Sequence, residues 1–170
     1  GESEFIWYKV FGNDYSNGKN FREREWFILN SLAPSLGLSM EDEDLPFSVK
    51  PDEKVDVRKV MELLRSTYEG TDLDMTRNIK IVNRKGDTIV SPLANPWMGS
   101  SDVATYNMIA PNTVEFQRTV SVSWCSYSFV AQLRNWMPDE IGGILWYGVE
   151  NPGQSPRIPI FTGSRSEERR

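Results

Sequence analysis

From residue 113 to residue 149 the chain is written largely in the two-residue period of a β-sheet, and this limits the fold more than any other feature. In "TVEFQRTVSVSW", Val114, Phe116, Arg118, Val120, Val122 and Trp124 fall on one side, while Glu115, Gln117, Thr119, Ser121 and Ser123 fall on the other. The runs "YSFVAQLR" and "IGGILWYGV" read as two further strands, separated by the turn "NWMPDE".

The first half supplies helices to cover such a sheet. "EFIWYKVF", residues 4–11, reads as a strand, and Gly and Asn in "GNDYSNGKN" mark a loop after it. Asn20 followed by Glu23 forms a capping-box pattern that predicts a helix from about Phe21 to Leu32, stopped by Pro34. Residues 35–54 hold two prolines and an acidic cluster without a sustained period, so a long surface connection is expected. Asp56 then caps a second helix, because Val57, Val60, Met61, Leu64 and Tyr68 recur at helical spacing. Residues 77–113 suggest a hairpin around "RKGD", followed by "SPLANPWMGSSD", where Pro, Gly and Ser oppose regular structure. The sum is an α+β fold, an antiparallel sheet with packed helices. With 170 residues and 39% hydrophobic content the chain is read as one domain that buries a core. The charged end "SRSEERR" is expected to fray.

Several function classes are excluded. A net charge of −5 provides no broad basic field for a phosphate backbone, so nucleic acid is not an expected partner. The longest apolar runs fall well short of the roughly 20 residues of a membrane span. The absence of histidine removes His-based triads, Cys-His dyads and most zinc sites. A single cysteine, Cys125, forbids an internal disulfide and assigns no compartment. "GESEFIWYKV" is not a signal peptide, so any leader would lie upstream of Gly1.

Four places remain as candidate sites. "YEGTDLDMT" sets Glu69, Asp72 and Asp74 around Gly70. A calcium loop starting at Asp72 fails at its fifth and sixth positions, Thr76 and Arg77. A helix end with Gly70 in the left-handed region, or a carboxylate site, are the two readings left open. Arg118 stands on the apolar side between Phe116 and Val120, so its guanidinium needs a partner, structural or in a cleft. Cys125 has no base to activate it and reads as a small sheltered thiol. "NPGQSPR", with Gln154, Ser155 and Arg157, either turns or lines a pocket.

Together, "YEGTDLD", "RTVSVSWCSYSFVAQLR", "MPDEIGGILWYGVENPGQSPRIPIF" and the pair "LAPSLGL" and "LPFSVKPDEKVDVRKVM" resemble the dipeptidase A family, the N-terminal-nucleophile cysteine dipeptidases related to secernin. The resemblance implies a four-layer αββα sandwich of which residues 1–163 are the middle to C-terminal part. It implies hydrolysis of dipeptides by a cysteine at a processed N-terminus, whose α-amine serves as the base; that arrangement needs no histidine, metal or cofactor. The nucleophile is then expected outside this chain, leaving no catalytic residue within it, and Cys125 does not replace it. Arg118 matches the arginine opening the family's R-x-[IV] strand; Ser128, Val130, Gln132 and Arg134 match its S-H-V-x-Q-x-R run, with Phe129 where many members have histidine. Glu69 and Thr71 match a family signature, so Arg118, Glu69 and Thr71 are the expected cleft-lining residues. The expected partners are a dipeptide substrate and the remainder of the polypeptide, with self-association open. A non-catalytic assembly module of the same fold is the alternative.

Overall fold

The structure, a computed structural model, describes residues 19–42 and 44–164. The expected strand at 4–11 and the charged tail beyond Ser164 lie outside the described residues. The chain divides into two compact units, one ending at Val55 and the other starting at Asp56.

In the first unit, α1 (Lys19–Leu32) is the expected helix with its start moved. Asn20 lies inside it and is not the cap. A single 3-10 turn, Pro34–Leu36, follows the buried Ala33. The irregular segment after it is tied down by its backbone. Trp26 Nε1 donates to the Leu38 carbonyl at 2.7 Å, Arg22 Nη1 to the Asp42 carbonyl at 2.9 Å, and the Asp52 amide to the Leu32 carbonyl at 3.0 Å. Asp52 also accepts from the Ser35 hydroxyl at 2.5 Å and the Ser35 amide at 2.8 Å, which holds its carboxyl below the ordinary value.

The second unit opens with α2 (Val57–Arg65). Asp56 caps it as expected, accepting from the Lys59 amide at 2.7 Å. The helix ends sooner than its apolar spacing suggests, because Ser66 turns to an extended backbone. Tyr68 is therefore not the last member of a helical stripe, and Gly70, although left-handed at φ 75°, does not end the helix. Ser66, Glu69 and Thr71 divert the chain by bonding nearby backbone groups.

A small hairpin, β1 (Lys80–Val82) and β2 (Thr88–Val90), stands where the "RKGD" turn predicts it. Asn83 Oδ1 closes it, accepting from the amides of Lys85 and Asp87. Beyond it, α3 (Ser100–Ile109) corrects the expectation of irregular structure, since Ser100–Asp102 are its first turn. Asp102 accepts from the Gly99 amide at 3.0 Å, a capping signal hidden among the breakers. Val103 and Tyr106 pack against the buried Met75, Met98 and Val114, which form the core here.

The sheet has three antiparallel strands in the order β3 (Tyr127–Leu133), β4 (Gly143–Val149) and β5 (Ile158–Phe161), with the short α4 (Asp139–Gly142) before β4. The first two are the expected strands, and β5 was not expected. Val130 and Ile144 lie buried on one face, and α2 packs against β3. The opposite face carries Tyr127, Phe129, Leu133, Val149, Ile158 and Ile160, all exposed. Tyr127 stacks on Tyr147 there, with ring centroids 5.9 Å apart.

The strand expected at 113–124 is the largest correction. Among the described residues the segment pairs with no strand, and burial falls on Val114 from one side of the alternation and on three residues of the other. Gln117, Thr119 and Ser121 are 6%, 3% and 0% exposed, whereas Phe116 and Trp124 are 36% and 62% exposed. Side chains hold part of its backbone. Asn107 donates to the Val114 carbonyl at 2.8 Å and accepts from the Val114 amide at 3.0 Å; the Tyr68 hydroxyl donates to the Arg118 carbonyl at 2.9 Å.

Candidate functional site

The segments singled out by sequence, 68–76 and 114–124, do meet, and Ser66 just before the first joins the contact. The Ser121 amide donates to the Ser66 carbonyl at 3.0 Å, and Tyr68 reaches Arg118 through its hydroxyl. Tyr68 is fully buried and sits at φ 68°, a backbone region that a bulky residue adopts only when its surroundings compensate. The hydroxyl anchor and complete burial are that compensation.

Each carboxylate of "YEGTDLDMT" has a local task. Glu69 accepts from the Ser66 hydroxyl at 3.1 Å and the Thr67 amide at 3.0 Å. Asp72 pairs with Arg77 at 2.7 Å, and Asp74 accepts from the amides of Gly70 and Thr76 and from the Thr76 hydroxyl. Thr71 donates to the Tyr68 carbonyl at 2.7 Å and accepts from the Leu73 amide at 3.2 Å. Among the described residues, no group of three or more His, Cys, Asp or Glu side chains is arranged to hold a metal ion. The stretch is a chain of turns that its own side chains lock.

Arg118 is partly buried, with its guanidinium carbon 5.8 Å from the centroid of the Trp124 ring. It lines a shallow depression with Trp97, Phe116, Gln117, Thr119 and Trp124. A second depression runs from Asp72 and Asp74 to Asn112 and Glu115, and Met75 and Gln117 border both. Arg118 therefore borders one depression and the acidic loop the other.

Behind them lies a hub that the sequence did not disclose. Ser121 donates to Asn151 Oδ1 at 2.5 Å, and both oxygens accept from the Gly153 amide at 2.9 Å. The Ser121 carbonyl accepts from Trp97 Nε1 at 2.7 Å and from the Thr119 hydroxyl at 2.6 Å. A Cβ at Gly153 would stand 2.6 Å from Ser121 Oγ and 2.8 Å from the Trp97 ring, so only glycine fits.

Cys125 is half-buried, and its thiol donates to the Tyr127 carbonyl at 3.1 Å. Its own backbone nitrogen is an amide donating to the Val122 carbonyl at 3.3 Å. Arg157 is the other sheltered cation. Nε, Nη1 and Nη2 are all shielded from solvent and meet no hydrogen-bond acceptor among the described residues. Burial lowers its pKa from the ordinary arginine value, the charge of Arg65 acts in the same direction, and the sulfur of Cys125 opposes them. The sequence signal for this place is Gly148, a glycine inside the bulky strand "ILWYGV", which indicates a close approach from above. The approaching groups are the Pro156 carbonyl, nearest at 3.2 Å from where a Cβ would stand, and then the side chain of Arg157.

No helix among the described residues is long and apolar enough to cross a membrane. A sequence profile described as "Peptidase family C69" matches residues 1–169. A "Probable dipeptidase" of Latilactobacillus sakei is 27% identical over 168 residues, covering 98% of this chain. The chain spans 29% of the length of that relative. No solved structure matches the chain.

Proposed function

This chain belongs to peptidase family C69, and from that premise we propose that it is part of a cysteine dipeptidase built as an αββα sandwich. The match over nearly the whole chain is the observation that carries the reading. The reaction would be attack of a thiolate on the scissile carbonyl carbon, departure of the amine with a proton, and hydrolysis of the thioester by water. The nucleophile would be a cysteine with a free α-amine, supplied from outside these 170 residues. Cys125 is unsuited to that role because its nitrogen is committed as an amide. Support for the sandwich comes from the sheet face bearing Tyr127, Phe129 and Leu133, which is apolar and exposed, as a face prepared for a second sheet would be.

In this reading Arg118 lines the cleft, while Glu69 and Thr71 act as positioning residues that fix the turns of its wall. The test is to express the full-length polypeptide, determine the mass of its mature N-terminus, and assay a dipeptide panel before and after thiol alkylation. A processed N-terminal cysteine with alkylation-sensitive turnover is the expected result. Neither an N-terminal cysteine nor dipeptide turnover would leave the assembly module, which the same apolar face also supports.

A further inference from the structure

Arg157 stands immediately before β5, and its side chain crosses Gly148 of β4. A Cβ built on Gly148 would be 3.2 Å from the Pro156 carbonyl oxygen, 3.6 Å from Arg157 Cγ and 3.9 Å from Arg157 Nη1. Gly148 is the register partner of Ser128 on β3. Directly opposed residues of an antiparallel pair point to the same side of the sheet, so the guanidinium extends over the face that carries the Ser128 hydroxyl. Ser128 Oγ is also buried and has no hydrogen-bond partner among the described residues.

One sheltered cation and one sheltered hydroxyl, each unsatisfied, thus lie over a shared patch of sheet. A buried charge without a counter-charge is strongly unfavourable, and a hydroxyl without a partner adds to it. Arg65, at the end of α2, contributes a second positive charge close enough to act on Arg157. An anion would satisfy the guanidinium and the hydroxyl together. A planar guanidinium fork fits a carboxylate through two parallel N–H···O bonds, and a neighbouring hydroxyl donates a third.

We infer that Arg157 and Ser128 form a carboxylate-binding site on the Gly148 patch of the sheet. The carboxylate has two sources, the C-terminus of a dipeptide substrate or an Asp or Glu side chain from the remainder of the polypeptide. Only the first source rests on the peptidase reading.

The first experiment follows the Arg157 Nε–H resonance of the isotopically labelled 170-residue chain during titration with sodium acetate, Ala-Ala and Ala-Ala amide. Acetate and Ala-Ala should shift the resonance at millimolar concentration, the amide should not, and Ser128→Ala should weaken the response. No shift with either carboxylate, or an equal shift with the amide, overturns the site. This measurement needs no turnover, so it stands apart from the failure of the dipeptidase reading.

The second experiment places Arg157→Gln and Ser128→Ala in the full-length protein. A substrate carboxylate predicts a KM for Ala-Ala raised about tenfold or more by Arg157→Gln, with melting temperature little changed. An intrachain carboxylate predicts the reverse, a lower melting temperature with KM unchanged. Ser128→Ala should reproduce the same pattern more weakly, which guards against a variant that fails to fold. An active enzyme in which both variants leave KM and melting temperature untouched overturns the proposal.

Discussion

Ser121 and Asn151 are joined side chain to side chain at 2.5 Å across 30 residues of sequence, and the Gly153 amide donates to both oxygens. This contact links the segment at 113–124 to the loop that leads into β5. Ser121 is completely buried, so nothing but protein can replace a bond lost there.

Ser121→Ala should therefore cost about 1–3 kcal/mol of stability, the usual penalty for stranding buried polar groups. Asn151→Ala should cost a similar amount, and the double variant less than the sum, since one bond is shared. Urea denaturation checks this. Additive losses would mean that the two side chains act independently.

Asp52 gives a pH dependence. Its folded-state pKa is lowered by the Ser35 hydroxyl and then by the Ser35 amide, so the unfolded chain binds the proton more readily. The stabilisation is complete above the ordinary value of 3.8 and is lost as pH falls through the lower folded-state value. Ser35→Ala should therefore destabilise the chain near neutral pH, and the difference from wild type should shrink in acid. Parallel stability curves down to strongly acidic pH would contradict the assignment.

Arg118→Met in the full-length enzyme should reduce kcat/KM by about tenfold or more if the depression it lines holds substrate. Its stacking on Trp124 should account for only about 0.5–1 kcal/mol of stability. Melting temperature and turnover measured on the same preparation separate the two. A large fall in melting temperature with unchanged turnover would assign Arg118 to structure alone.

Cys125→Ser should leave turnover of the full-length enzyme within a few-fold of wild type, because its thiol hydrogen-bonds to a carbonyl and its nitrogen is an amide. By the same reasoning the 170-residue chain alone should not hydrolyse dipeptides. Turnover of the purified chain that disappears on alkylating Cys125 would overturn both statements.

What sequence made legible was what local chemistry decides. Asp56 caps α2, Pro34 lies just past α1, the "RKGD" turn makes a hairpin, and the apolar runs before and after "NWMPDE" pair as β3 and β4. The segment at 113–124 misled because alternation reports which residues share a side, not which side is buried. Burial there depends on partners that alternation does not report: Tyr68, Trp97 and Asn107 bond backbone groups of the segment, and Asn151 accepts from the Ser121 hydroxyl. The helix α3 was obscured because Ser and Gly oppose helix in isolation but serve at its first turn. At the candidate site, Arg118, Glu69 and Thr71 were nameable from their anomaly or family match, while the Ser121 hub was not, since a serine in an alternating run carries no distinguishing signal.

The mixed anchoring of residues 114–121, by a side chain at one end and by backbone at the other, also sets two clocks for solvent hydrogen exchange. The Val114 amide is held by the Asn107 carboxamide, and rotation of that one side chain should release it. The Ser121 amide is bonded to the Ser66 backbone beneath a fully buried side chain, and its release requires the hub to come apart. One continuous stretch of chain thus holds an amide that exchanges by local fluctuation and another that waits for cooperative opening. A ladder strand would have protected both together.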